Sequence, residues 1–159
     1  MDRIPEDFFA RPAEVVAKEL IGMNLHRVTN EKTCALVVET GAYEGEARRS
    51  GKGLKYPPGI IHVHVGMGGY KTLAISTDEE GKDSAVTLRK ALGSDGLFLA
   101  GPAMLTRELL IYPDLDEESI EDSFFWLSGT GVDPRYVRKI LDKNRASNCL
   151  GYFRLDLEK

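Results

Sequence analysis

Apolar residues along this chain recur mostly at every second position, the period of a half-buried strand. Residues 25–28, 33–40, 60–65, 70–76, 86–92 and 97–100 read as strands, joined by the apolar run 124–127 and the alternating run 151–157. Thr29-Asn30-Glu31-Lys32 turns the first pair, and Gly66-Met67-Gly68-Gly69 turns the pair 60–65 and 70–76. Three glycines in that second turn permit positive φ angles, so Met67 is predicted at a loop tip. Helical spacing is confined to three places. Pro12 opens a helix running to Ile21, with Val15, Val16, Ala17 and Leu20 packed and Gly22 at its C-terminal stop. Gly101-Pro102 opens a second helix through Leu110, ended before Pro113. Asp133-Pro134 forms a cap-and-first-turn pair for a basic helix through Lys143, with Val137, Ile140 and Leu141 buried. Hairpins with a few peripheral helices predict an α+β fold: one domain over residues 1–159, built on a curved antiparallel β-sheet.

Composition narrows this picture. A chain of 159 residues buries a sizeable core without disulfide or metal support. Cys34 and Cys149 show no paired ligand spacing, which excludes a zinc ribbon or knuckle, and Cys34 in an apolar strand is expected to be a buried thiol. The N-terminus is charged and no apolar run reaches membrane length, so the expectations are a cytoplasmic protein and no membrane partner. The net charge of −4 is unlike that of a typical duplex-binding domain. Charge is uneven, however. Arg48, Arg49, Lys52 and Lys55 make a basic loop, Arg135, Arg138, Lys139, Lys143 and Arg145 a second basic set, and residues 114–122 an acidic connector.

The candidate chemistry lies in two segments, Val38-Glu39-Thr40-Gly41-Ala42-Tyr43-Glu44-Gly45 and Pro58-Gly59-Ile60-Ile61-His62-Val63-His64-Val65. Strand side chains two apart share a face, so Glu39, position 41 and Tyr43 point one way, and His62 and His64 share another face. A polar, aromatic face on a strand that otherwise reads as core is either a pocket wall or the solvated side of an edge strand.

The same segments resemble the central motifs of the alkyladenine (methylpurine) DNA glycosylase family, where a V-E-T-E-A-Y strand precedes P-G-x-x-Y-V-Y-x-x-Y-G-M. Phe8-Phe9, Pro12, Ala17 and Leu20-Ile21-Gly22 resemble the family's opening helix, Leu88-Arg89 and Ala91-Leu92 its L-R-A-L strand, and Gly101-Pro102 with Leu105-Thr106 its G-P-x-x-L-T helix start. The motifs occur in family order between residues 8 and 111. The resemblance implies the family fold, recognition of a flipped alkylated purine in damaged double-stranded DNA, and hydrolysis of its N-glycosidic bond in base-excision repair without a cofactor. It places Tyr43, His62, His64 and Arg89 around the base, Met67 as the wedge that fills the vacated stack, and Arg48, Arg49, Lys52 and Lys55 against nucleic acid.

Several positions depart from the family pattern. The water-activating carboxylate falls on Gly41, the two stacking tyrosines on His62 and His64, the intercalating tyrosine on Met67, and an asparagine on Ala74. A histidine of the intervening family loop has no counterpart beside Arg48-Arg49-Ser50. Imidazole also stacks on bases, and methionine also inserts at base steps. The loss at Gly41 bears directly on catalysis, since a displaced carboxylate must be placed to within about 1 Å to be effective. Glu39 and Glu44 are the candidate substitute bases. An alternative is an inactive domain on the same fold that binds nucleic acid, nucleotide or protein. A third reading takes His26, His62 and His64 as a zinc set. The expectation is that they do not converge and that no metal is bound. No phosphate-binding glycine loop, βαβ alternation, or Ser-His-Asp or Cys-His arrangement is present in the sequence.

Overall fold

A computed structural model describes residues 3–45, 56–79, 81–144 and 146–156, with Met67 given by its backbone alone. Two helices, α1 (Ala13–Leu20) and α2 (Pro102–Glu108), accompany strands β1 (Asn24–Val28), β2 (Lys32–Glu44), β3 (Ile61–Val65), β4 (Lys71–Thr77), β5 (Ser84–Gly93), β6 (Phe98–Ala100), β7 (Phe125–Ser128), β8 (Val137–Ile140) and β9 (Cys149–Leu155). All pair antiparallel in one sheet, ordered β3-β4-β5-β2-β1-β7, with β6 on β5, β9 on β2 and β8 on β9. The strands expected from period-two alternation are therefore present, and the α+β class holds.

β2 organises the sheet. One of its edges pairs with β5 from Ala35 to Glu44, while the other pairs with β1 through Lys32–Leu36 and then with β9 from Glu39 to Tyr43. The register with β5 shifts on either side of Glu39, and a bulge there increases local twist and curls the sheet. α1 packs into the resulting hollow. Ala13, Val16, Ala17 and Leu20 are buried, together with Phe9, Leu25, Leu73, Ile75, Leu88 and Phe125. A fully buried leucine such as Leu20 contributes about 1.5–3 kcal/mol. Val15, expected on the packed face, is 40% exposed on the outer side. Gly22, at φ +88°, ends the helix and donates its N–H to Val37 O at 2.8 Å, which fixes α1 against β2.

The helix expected over residues 134–143 is not formed. Pro134–Tyr136 makes a single 3-10 turn, with Asp133 Oδ1 accepting from Arg135 N–H at 3.0 Å, and the chain then extends into β8. Asp133 caps as expected, but the turn gives way to a strand. Val137 and Ile140 are β-branched, and pairing Val137 with Leu155 and Ile140 with Tyr152 supplies ladder partners for β9's outer edge. Cys34 is a second correction. It is half-buried rather than in the core, with its Sγ 3.5 Å from His26 Nδ1.

Candidate active site

β3 is amphipathic across its two faces. Ile61 and Val63 enter the core, so His62 and His64 turn to the opposite side. There they line a cavity of about 830 Å³ with Tyr43 from β2, Thr72 from β4, Thr87 and Arg89 from β5, and Asn148 from the loop before β9. Four residues singled out from sequence, Tyr43, His62, His64 and Arg89, thus meet at one concavity. His62 is buried, its ring edge-on to Tyr56 at 4.9 Å, and His64 is exposed at the mouth. Ala74, at the family's asparagine position, also lines this cavity.

Gly41 lies beside two of the lining residues, Tyr43 and Thr87. A Cβ there would lie 2.8 Å from Thr87 Oγ1, 3.0 Å from Tyr43 Cε2 and 3.1 Å from Tyr152 Cδ1. The position faces Tyr43, as alternation requires, and the space beside it is filled by Tyr152 and Thr87. Glu39 lies two residues before it and is 6% exposed. Its Oε2 accepts from Arg89 Nε at 3.1 Å and its Oε1 from Arg154 Nε at 2.7 Å. Both carboxylate oxygens are thus engaged by guanidinium groups. Arg89 in turn stacks on the Tyr152 ring at 4.0 Å. Burial, reinforced by Cys149 and by a hydrogen bond with Tyr152, pushes the Tyr43 hydroxyl well above its ordinary value, with Arg89 opposing. Tyr43 is therefore a neutral hydroxyl at any physiological pH.

The other expected site residues divide. Glu44 ends β2 on the surface and does not line the cavity. Met67 opens the turn Met67–Gly69, in which Gly68 and Gly69 take φ +78° and +79° and Gly66 N–H closes onto Tyr70 O at 2.7 Å. Arg48, Arg49, Lys52 and Lys55 lie outside the described residues. The zinc alternative fails on placement. His26 sits on β1, stacked on Trp126 with its Nε2 2.6 Å from Ser128 Oγ, and β2, β5 and β4 all lie between β1 and β3 in the sheet. Among the described residues no group of three metal-ligating side chains converges.

Residues 7–146 match the family model for methylpurine-DNA glycosylase. The chain belongs to the methylpurine-DNA glycosylase family. Relatives that share the printed name "Putative 3-methyladenine DNA glycosylase" occur in several bacteria. The one from Streptomyces avermitilis is 31% identical, with 86% of this chain and 79% of the relative covered. The one from Legionella pneumophila strain Lens is 29% identical, covering 80% and 77%. That from Desulfitobacterium hafniense is 33% identical, with 60% of this chain aligned. The chain spans about half the length of some relatives, 53% of the Desulfitobacterium protein and 56% of that from Myxococcus xanthus.

Placed on the methylpurine-DNA glycosylase pattern, the chain contributes site residues that its motifs do not announce. Tyr152 and Arg154 lie beyond the matched segment 7–146, yet Tyr152 packs beside Gly41 and Arg154 engages Glu39. Their signal was the alternation of the last strand, which puts both on one face. Asp116, from the acidic connector, lines the cavity and carried no periodic signal at all.

Proposed function

We propose that the cavity receives an alkylated purine flipped out of damaged double-stranded DNA and that the chain hydrolyses its N-glycosidic bond, as a hydrolase of cytoplasmic base-excision repair. The observation that carries this reading is the convergence of Tyr43, His62, His64 and Arg89 on one cavity in a chain of this family. Its volume of about 830 Å³ suits a nucleoside. Tyr43 and the imidazoles supply stacking surfaces, and extrusion of the base costs a few kcal/mol that such stacking offsets. Met67 is assigned as the wedge, and Arg48, Arg49, Lys52 and Lys55 as backbone contacts, within a single domain needing no metal or other cofactor. Cationic purines such as 3-methyladenine are good leaving groups, so they are the preferred substrates of a site that lacks a carboxylate at position 41.

The filled space at Gly41 favours a second reading, in which the domain binds the lesion without cleaving it. Competition binding and single-turnover excision on duplexes carrying one alkylated purine separate the two. The glycosylase reading expects tighter binding to the alkylated duplex and release of the free base. His64→Ala and Tyr43→Ala are each expected to weaken lesion binding by about 1–3 kcal/mol, the worth of one stacking surface. Preferential binding without base release would support the second reading. Equal affinity for undamaged DNA would end both.

A further inference from the structure

Gly41 stands at the family's carboxylate position and Glu39 does not line the cavity, and among the described residues the one carboxylate in its wall is Asp116. It is half-buried and mounted on the outer edge of β3. Val63 N–H donates to Asp116 Oδ1 at 2.8 Å, Glu117 N–H donates to Ile61 O at 2.7 Å, and Ile61 N–H donates to Glu118 O at 2.8 Å. Residues 116–118 therefore run along β3 and hold it opposite β4. Glu117 takes φ +72°, a left-handed conformation that non-glycine residues avoid unless surrounding bonds hold it. Val63 stands between the two histidines along β3, so Asp116 is bound to the strand's edge at the position between them and lines the cavity with both.

We propose that Asp116 is the catalytic base of this chain, accepting the proton of the water that attacks C1′ of the flipped nucleotide. The inference rests on the glycosylase reading above. In the step, the water oxygen forms a bond to C1′ and the C1′–N bond breaks, its electron pair going to the purine. An alkylated, cationic purine leaves neutral, the water proton passes to the Asp116 carboxylate, and the sugar keeps the new hydroxyl. No acid and no other co-reactant are needed.

Asp116→Asn is the informative variant, because an amide oxygen still accepts from Val63 N–H while the basicity is lost. Single-turnover excision of an alkylated purine from duplex DNA is expected to fall about 10²–10⁴-fold, the ordinary worth of general-base assistance, with lesion affinity unchanged. The parent rate should show an acidic limb, and Asp116→Asn should lose it. Asp116→Glu, which keeps a carboxylate, should retain measurable excision, and this holds the test open should the amide variant fold poorly. Unchanged excision in Asp116→Asn, or a parent profile without an acidic limb, would overturn the assignment and leave the glycosylase reading standing. Excision lost instead in Glu44→Gln would overturn it as well. A parent that binds the lesion but releases no base would remove this assignment and the glycosylase reading together.

Discussion

At Gly41 a side chain would begin 2.8 Å from Thr87 Oγ1 and 3.1 Å from Tyr152 Cδ1, so a carboxylate returned there meets two obstacles rather than a hole. Gly41→Glu is therefore expected to overpack this spot, lowering stability by about 1–3 kcal/mol in urea unfolding, with no gain in excision. Adding Tyr152→Ala and Thr87→Ala should recover part of that loss, and a stable Gly41→Glu single variant would show that the surroundings yield more than these contacts suggest. His26 poses a different question at the same scale. Burial, then the nearby Lys32 and Arg3, lowers its pKa, so the folded state disfavours the imidazolium. The folded value lies below the unfolded one of about 6.5, and between the two the unfolded chain holds the extra proton. Stability from this source is full above about pH 6.5 and is lost as pH falls through that value toward the folded pKa. Between about pH 7.5 and 5.5, the urea midpoint of the parent should fall further than that of His26→Gln. Parallel curves would mean that His26 titrates alike in both states.

Elements explain which of these residues were visible in the sequence. Period-two alternation marked the strands, since burial on one face of a sheet writes directly into sequence, and it put Tyr43 beside position 41 and His62 beside His64. The run 134–143 misled because Val137, Ile140 and Leu141 also fit helical spacing. What decides between helix and strand there is β9, whose outer edge needs a partner and which lies wholly outside the run. Asp116 was hidden because it reaches the cavity through pairing with β3's outer edge, a long-range contact that no local pattern encodes. Alternation gave Tyr152 a face, but its place beside Gly41 depends on long-range pairing with β2. β9 carries Tyr152 beside Gly41 and Arg154 to Glu39 while Phe153, 5% exposed, anchors it in the core on the other face. Phe153→Ala should thus cost about 3–5 kcal/mol in chemical unfolding. Phe124→Ala, at a position 69% exposed, is expected to stay within about 0.5 kcal/mol of the parent. Similar losses in the two variants would contradict the anchoring role of β9.

Across the whole molecule, the difficulty is how a chain of net charge −4 would hold a polyanion. Much of the C-terminal basic set is already engaged by acidic partners: Arg135 with Asp133 at 3.5 Å, Arg138 with Asp156 at 3.7 Å and Lys139 with Glu14 at 2.9 Å. Arg154 is held by Glu39 in the same way. Releasing these cations to meet phosphates would break existing pairs, whereas Arg48, Arg49, Lys52 and Lys55 come from a stretch of sequence that carries no acidic residue between them. The loop set is accordingly expected to supply most of the phosphate contacts. Each contact adds about 0.9 to the slope of log affinity against log salt on duplex DNA, so replacing all four by Gln should flatten the slope by up to about 3.6. Arg135→Gln and Arg138→Gln together should change it by less than one contact's worth, roughly 0.9. His64→Ala should do the converse, narrowing discrimination between alkylated and undamaged duplex while leaving the slope alone, because a stacking surface releases no counterion. Equal flattening by the loop and the C-terminal substitutions would show that the ion pairs at Asp133 and Asp156 open when DNA binds.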